Sequence, residues 1–152
     1  MLTKIQQSVI IGIAATGVMT LLMVLGSAMG MPKMSPPNML AAMMRLPVTA
    51  GWVMHFLIGI LFAAGYVFLF NNWLKKIVNR MARGVVYGIV VFIVAQIAFP
   101  ILGAIFGEAN MPQPGGSMAL LMIGSVLGHI IYGITVALLL RSNGWDIHPS
   151  SV

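Results

Sequence analysis

Met118-Ala119-Leu120-Leu121-Met122-Ile123-Gly124-Ser125-Val126-Leu127-Gly128-His129-Ile130-Ile131-Tyr132-Gly133-Ile134-Thr135-Val136-Ala137-Leu138-Leu139-Leu140 holds no Asp, Glu, Lys or Arg. At about 1.5 Å rise per residue it is long enough, as a helix, to cross a hydrocarbon layer of about 30 Å. Three further runs have the same character, over residues 9–29, 48–70 and 84–106. Lipid supplies no hydrogen-bond partners, and none of the runs shows the polar alternation of a membrane β-barrel strand. Each must therefore satisfy its backbone internally as a helix. The reading is an all-α, polytopic membrane four-helix bundle forming a single domain over residues 1–152.

Composition agrees. The 152 residues are 60% hydrophobic and only 7% charged, with a mean hydropathy of +1.03, whereas a water-soluble domain carries about a quarter charged residues. The formal net charge of +6 raises the possibility of nucleic acid, but the distribution of the cations excludes that reading. In a four-span arrangement Lys4, Lys75, Lys76, Arg80, Arg83 and Arg141 fall on one side, and only Lys33 and Arg45 on the other. This asymmetry predicts both termini in the cytoplasm. Trp52 would then mark the outer boundary, with Trp73 and Trp145 at the inner one. The first run begins after Lys4 and ends in small residues, like a secretory signal. It exceeds the usual apolar signal core of roughly 7 to 15 residues and is read as a mature helix. Zero cysteines exclude disulfides, thiolate metal sites and the usual c-type haem attachment.

The connections carry less information. The outer loop, residues 30–47, contains Pro32, Pro36 and Pro37, and Ser35 before Pro36 resembles a helix cap. A short interfacial helix is expected there, with Met39, Leu40, Met43 and Met44 on its apolar side. A turn-rich outer loop follows the third run, and a polar cytoplasmic tail spans residues 141–152.

Within the quoted run, Gly128-His129-Ile130-Ile131-Tyr132-Gly133 places a histidine one turn before a glycine, and Met54-His55-Phe56-Leu57-Ile58-Gly59 repeats the pattern. Laying His55 on His129 aligns the second and fourth runs at an offset of 74, and the first and third align at 76 with Gly12 on Gly88 and Thr20 on Gln96. Two similar helical hairpins are expected, related by an axis along the membrane normal. Counted from the inner ends, Thr20 is 11 residues in, Gln96 12, His55 15 and His129 11, or roughly 16 to 22 Å. One polar side chain per helix would meet at one depth, joined by the Gln96 carbonyl that Pro100 leaves without a donor.

Four readings of this layer stand side by side, the fourth of them a proton or small-solute transport pathway, for which the spans contain no carboxylate relay. In the first, the Thr, Gln and His side chains are interhelical hydrogen bonds, each contributing about 0.6 to 2 kcal/mol. In the second, His55 and His129 ligate one b-type haem in the bundle core, on diagonal helices, with Gly59 and Gly133 clearing space for the flat ring and Thr20 and Gln96 in the same cofactor layer. In the third, copper is bound by Met29, Met31, Met34, Met39, Met43 and Met44 with the histidines, although methionine is also an ordinary apolar filler. Ser27, Ser117 and Ser125 lack a nearby base with an orienting acid, Glu108 and Asp146 fall on opposite sides, and no phosphate-binding loop appears. No catalytic residue is therefore assigned.

At Gly30-Met31-Pro32-Lys33-Met34, Gly51-Trp52-Val53-Met54-His55-Phe56-Leu57-Ile58-Gly59 and Gly128-His129-Ile130-Ile131-Tyr132-Gly133 the chain resembles a family of small, uncharacterised bacterial four-helix integral membrane proteins. The resemblance covers nearly the whole chain and implies the same four-span fold and a shared importance of the two histidine segments; the expected location is a bacterial inner membrane. The functional expectation is a small subunit or accessory protein of a membrane redox or respiratory assembly. It would associate with lipids, with other membrane subunits or with itself.

Overall fold

A computed structural model describes residues 2–33, 35–106 and 116–140. Among them are five helices and no strand. Helix α1, Lys4–Ala28, starts before its apolar run because Thr3 and Gln6 close a capping box: the Gln6 amide donates to Thr3 Oγ1 at 3.2 Å and the Thr3 amide donates to Gln6 Oε1 at 2.9 Å. Helix α2, Pro36–Met44, is the short outer helix expected from the proline pair, and Arg45 stops it in the left-handed conformation at φ 55°.

Helix α3 runs over Val48–Lys76. It is α-helical to Gly65, widens into a π turn over Tyr66–Phe70, and tightens into a 3₁₀ turn over Leu74–Lys76. Helix α4, Arg80–Phe106, begins four residues ahead of its apolar run because Asn79 Oδ1 accepts from the amides of Met81 and Ala82, at 2.8 and 3.2 Å. Helix α5 is Met118–Leu139. Arg80 turns back onto its C-terminal carbonyls, donating to Ala137 at 3.1 Å, Leu138 at 3.2 Å and also Leu140. Four of these helices are long and apolar enough to cross a membrane, and their outward faces are apolar: Leu21, Val53, Leu61 and Ile97 are all more than half exposed. Such a surface suggests a membrane protein.

The helices pack in the order α3, α1, α5, α4, with α2 laid over α3 and touching α4. Glycine permits the closest approaches. A Cβ on Gly12 would lie 2.6 Å from the Ile60 Cα, and one on Gly88 would lie 2.6 Å from the Ile130 Cα. Helices α3 and α5 are therefore diagonal. The remaining pair, α3 and α4, does not bring its backbones together as the other neighbours do. It is joined by aromatic side chains at the basic end: Tyr87 stacks obliquely on Tyr66 and Phe70, with centroids at 4.8 and 5.2 Å, and donates its hydroxyl to the Phe62 carbonyl. Around this cluster lies the buried core, with Ile11, Ala15, Ala63, Val91, Tyr132 and Val136. Toward α2 the two helices part, and the space between them is not filled.

Candidate functional site

That space is a cavity of about 340 Å³ to which all five helices contribute wall, at the small end of the ~300–1,000 Å³ typical of ligand sites. Apolar side chains dominate the wall, among them Met19, Leu40, Ile58, Phe62 and Phe99. Its polar members are Thr16, His55, Gln96, Ser125, His129 and Tyr132. Imidazole, hydroxyl and amide groups in an apolar wall are suited to binding by hydrogen bonds or by metal ligation.

Each imidazole is oriented by one hydrogen bond. The Thr20 hydroxyl donates its proton to the Thr16 carbonyl at 2.8 Å, so at 3.1 Å from His55 Nε2 its oxygen acts as the acceptor, and His55 carries its proton on Nε2. His129 is the opposite tautomer. Its Nδ1 lies 2.7 Å from the Ser125 carbonyl, which can only accept, so the proton is on Nδ1. Because that bond ties the near edge of the ring to its own helix, Nε2 lies on the edge turned away from it. Phe92 meets His129 edge-on at 5.7 Å, and Trp52 meets His55 at 6.5 Å.

The expected polar layer is thus divided. His55 and Thr20 are in contact, while His129 bonds its own helix. Gln96 is exposed on α4 and donates to the Met122 sulfur at 3.5 Å. Gly59 borders the cavity while packing against α1, and Gly133 is not among the cavity's wall residues. A Cβ on Gly59 would collide with Thr16 Oγ1, and one on Gly133 with the Gly84 carbonyl and, at 2.5 Å, the Gly88 amide. In a tightly packed helix pair the space left by a missing Cβ is occupied by the neighbouring backbone, so these glycines serve helix contacts. The outer methionines differ in exposure: Met29 is 86% exposed and Met43 1% exposed. Met31 packs at Gly26, Met39 lines the cavity, Met44 is half-buried, and Met34 lies outside the described residues. So do Glu108, Arg141, Trp145, Asp146 and His148, with the second outer loop and the tail. Among the described residues no three His, Asp or Glu side chains come together as a metal group.

Two site residues escape a reading by histidine and glycine alone. Tyr132 donates its hydroxyl to the Gly59 carbonyl at 2.5 Å, closing the cavity floor across the diagonal. Thr16 is buried with its hydroxyl oxygen unpartnered against Gly59. The signal for Tyr132 was present, since Ser125, His129, Tyr132 and Val136 recur at helical spacing along one face of α5. Tyr132→Phe keeps the ring packing and removes only the donor. It is expected to destabilise the protein by about 1 to 2 kcal/mol in a thermal unfolding measurement. An unchanged midpoint would show that the bond is worth nothing net.

No curated protein and no solved structure matches the chain. The match that exists is to a family profile, it covers residues 2–143, and it places the chain in the Family of unknown function (DUF6789), to which it belongs.

Proposed function

We propose that this chain is an integral protein of the bacterial inner membrane with both termini in the cytoplasm, and a small subunit or accessory protein of a membrane redox assembly. It acts by holding a lipophilic molecule in the chamber between His55 and His129. The observation that carries this reading is the convergence of oriented imidazoles on one apolar-walled cavity. The apolar outward faces of the helices support membrane insertion and association with other membrane subunits. A bundle of two similar hairpins is supported by the paired close approaches, since Gly12 and Gly59 meet in the first and Gly88 and Gly133 in the second, the positions that the offsets of 76 and 74 superpose.

Native mass spectrometry and solvent extraction of the protein purified in mild detergent test this reading. A stoichiometric lipophilic molecule is expected with the wild type and none with Ala95→Phe, which places a ring in the cavity wall. A wild type that carries nothing and takes up no lipophilic probe would sink it.

A b-type haem is the second reading, and the His129 bond favours it specifically. A ligating histidine donates its other ring N–H to an acceptor such as a backbone carbonyl, and His129 Nδ1 does so to Ser125. His55 would have to exchange its Thr20 bond for iron or ligate through Nδ1. Reduced-minus-oxidised spectra and elemental analysis decide both this and the copper alternative. Absence of haem bands and of bound metal would reject both cofactors.

A further inference from the structure

Taking the chamber as a ligand site, we propose that its ligand is a hydroxyl-bearing lipophile that enters sideways from the bilayer between α3 and α4 and donates its hydroxyl hydrogen to Nε2 of His129. The inference rests on the ligand-site reading above and adds the ligand's chemistry and its route.

The route follows from the packing order. Two interfaces join the first helix pair to the second. The α1–α5 interface is closed by extensive helix contact, whereas α3 and α4 touch mainly through the aromatic cluster at the basic end. At the far end α2 covers the chamber with Leu40, itself buried, and the floor is closed by Tyr132 and its bond to Gly59. The wall on α1 and α5 is buried at Thr16, Met19, Ser125 and Tyr132, while the wall residues Ile58 and Phe62 of α3 and Ala98 and Phe99 of α4 are only partly buried. What remains open is the side between α3 and α4, which faces lipid in the proposed setting.

The chemistry follows from the tautomer. With its Nδ1 proton committed to the Ser125 carbonyl, neutral His129 offers only a lone pair at Nε2, and no partner for that nitrogen exists among the described residues. A ligand must bring the proton. An alcohol or phenol does so, whereas an ether or ketone of the same shape leaves the acceptor desolvated and unpaired. Ser125, buried beside His129 with no partner for its hydroxyl among the described residues, can accept or donate a second bond.

Tetramethylhydroquinone, kept reduced without oxygen, and its dimethyl ether share a ring body, and the ether carries a methyl group in place of each donor hydrogen. Calorimetric titration into the protein in phosphatidylcholine nanodiscs is expected to show the hydroquinone binding at least about tenfold more tightly, as one well-made buried hydrogen bond implies. His129→Phe is expected to reduce that preference below about threefold with ether affinity retained, the retained affinity showing that the chamber is still folded. His129→Gln keeps an acceptor and should retain most of the preference. Equal affinities in the wild type, or a preference that survives His129→Phe, would overturn the assignment while leaving the chamber a ligand site. Binding of neither probe by a protein that co-purifies with another lipophile would do the same, and an empty protein that binds neither would end both readings.

The absence of native cysteine allows the route to be tested separately. Bridging Ile58→Cys on α3 to Ala95→Cys on α4 with a bifunctional methanethiosulfonate should slow hydroquinone association at least about tenfold, with recovery when reduction removes the whole reagent, whereas the monofunctional reagent on Ile58→Cys alone should slow it less than about threefold. An association rate unaffected by the bridge would refute lateral entry.

Discussion

Gly133→Ala is expected to destabilise the protein by about 3 kcal/mol or more, whereas Gly17→Ala leaves it unchanged or slightly more stable. Both replacements add one methyl group to a helix, where alanine is intrinsically preferred by up to about 1 kcal/mol. They differ in what the methyl meets. At Gly17 nothing lies within 4 Å, while at Gly133 the new carbon meets the Gly84 carbonyl, the Gly88 amide at 2.5 Å and the Gly88 Cα at 2.7 Å. All three are backbone atoms of α4, so no side chain can swing aside and the helices must separate. Overpacking of well-filled interiors typically costs about 1 to 3 kcal/mol, and a rigid backbone places this site at the upper end or beyond. Thermal unfolding followed by size-exclusion chromatography in detergent measures the difference. Equal midpoints for the two variants would mean that α4 and α5 are not packed as described.

Gly51→Val is expected to detach α2 and uncover the chamber without unfolding the rest. A Cβ at Gly51 would strike the Pro37 carbonyl and approach the Ala41 Cβ to 2.9 Å, both on the face of α2 that packs on α3. Leu40 is 5% exposed. In a Leu40→Cys background the single thiol should react with a maleimide at least tenfold faster once Gly51→Val is added. Val136→Cys, at a position with no exposure between the helices, should stay unreactive in both backgrounds. Labelling of both positions would mean global unfolding, and labelling of neither would mean that α2 tolerates the side chain. In the proposed setting the same change should shorten the residence time of any ligand held under α2.

The elements of the fold were legible because helix formation in an apolar run is a local matter. The residues of α5 make their backbone bonds with one another, and their number decides whether they reach across a bilayer. The short helix at Pro36 was equally readable from its proline start. Helix ends were less so. Asn79 extends α4 beyond its apolar run, and the π turn at Tyr66–Phe70 has no counterpart in a hydropathy pattern. The candidate site was legible by residue type and not by role. His55 and His129 both reach the cavity, while Gly133, placed one turn from His129, is in a helix contact, and Thr20, placed with the histidines by depth, holds one of them.

By itself the sequence determined four apolar helices of membrane-spanning length, a fifth short one, and two histidines in apolar surroundings. Each follows from neighbours within a few turns. Only the tertiary structure decided that α1 packs closely on α5 while α3 stands off from α4, and which nitrogen of His55 is free. Those outcomes rest on contacts between residues far apart in the chain, such as Tyr132 with Gly59 and Thr20 with His55. Their energies depend on how whole helix faces interlock, and spacing along one helix carries no record of the face it will meet.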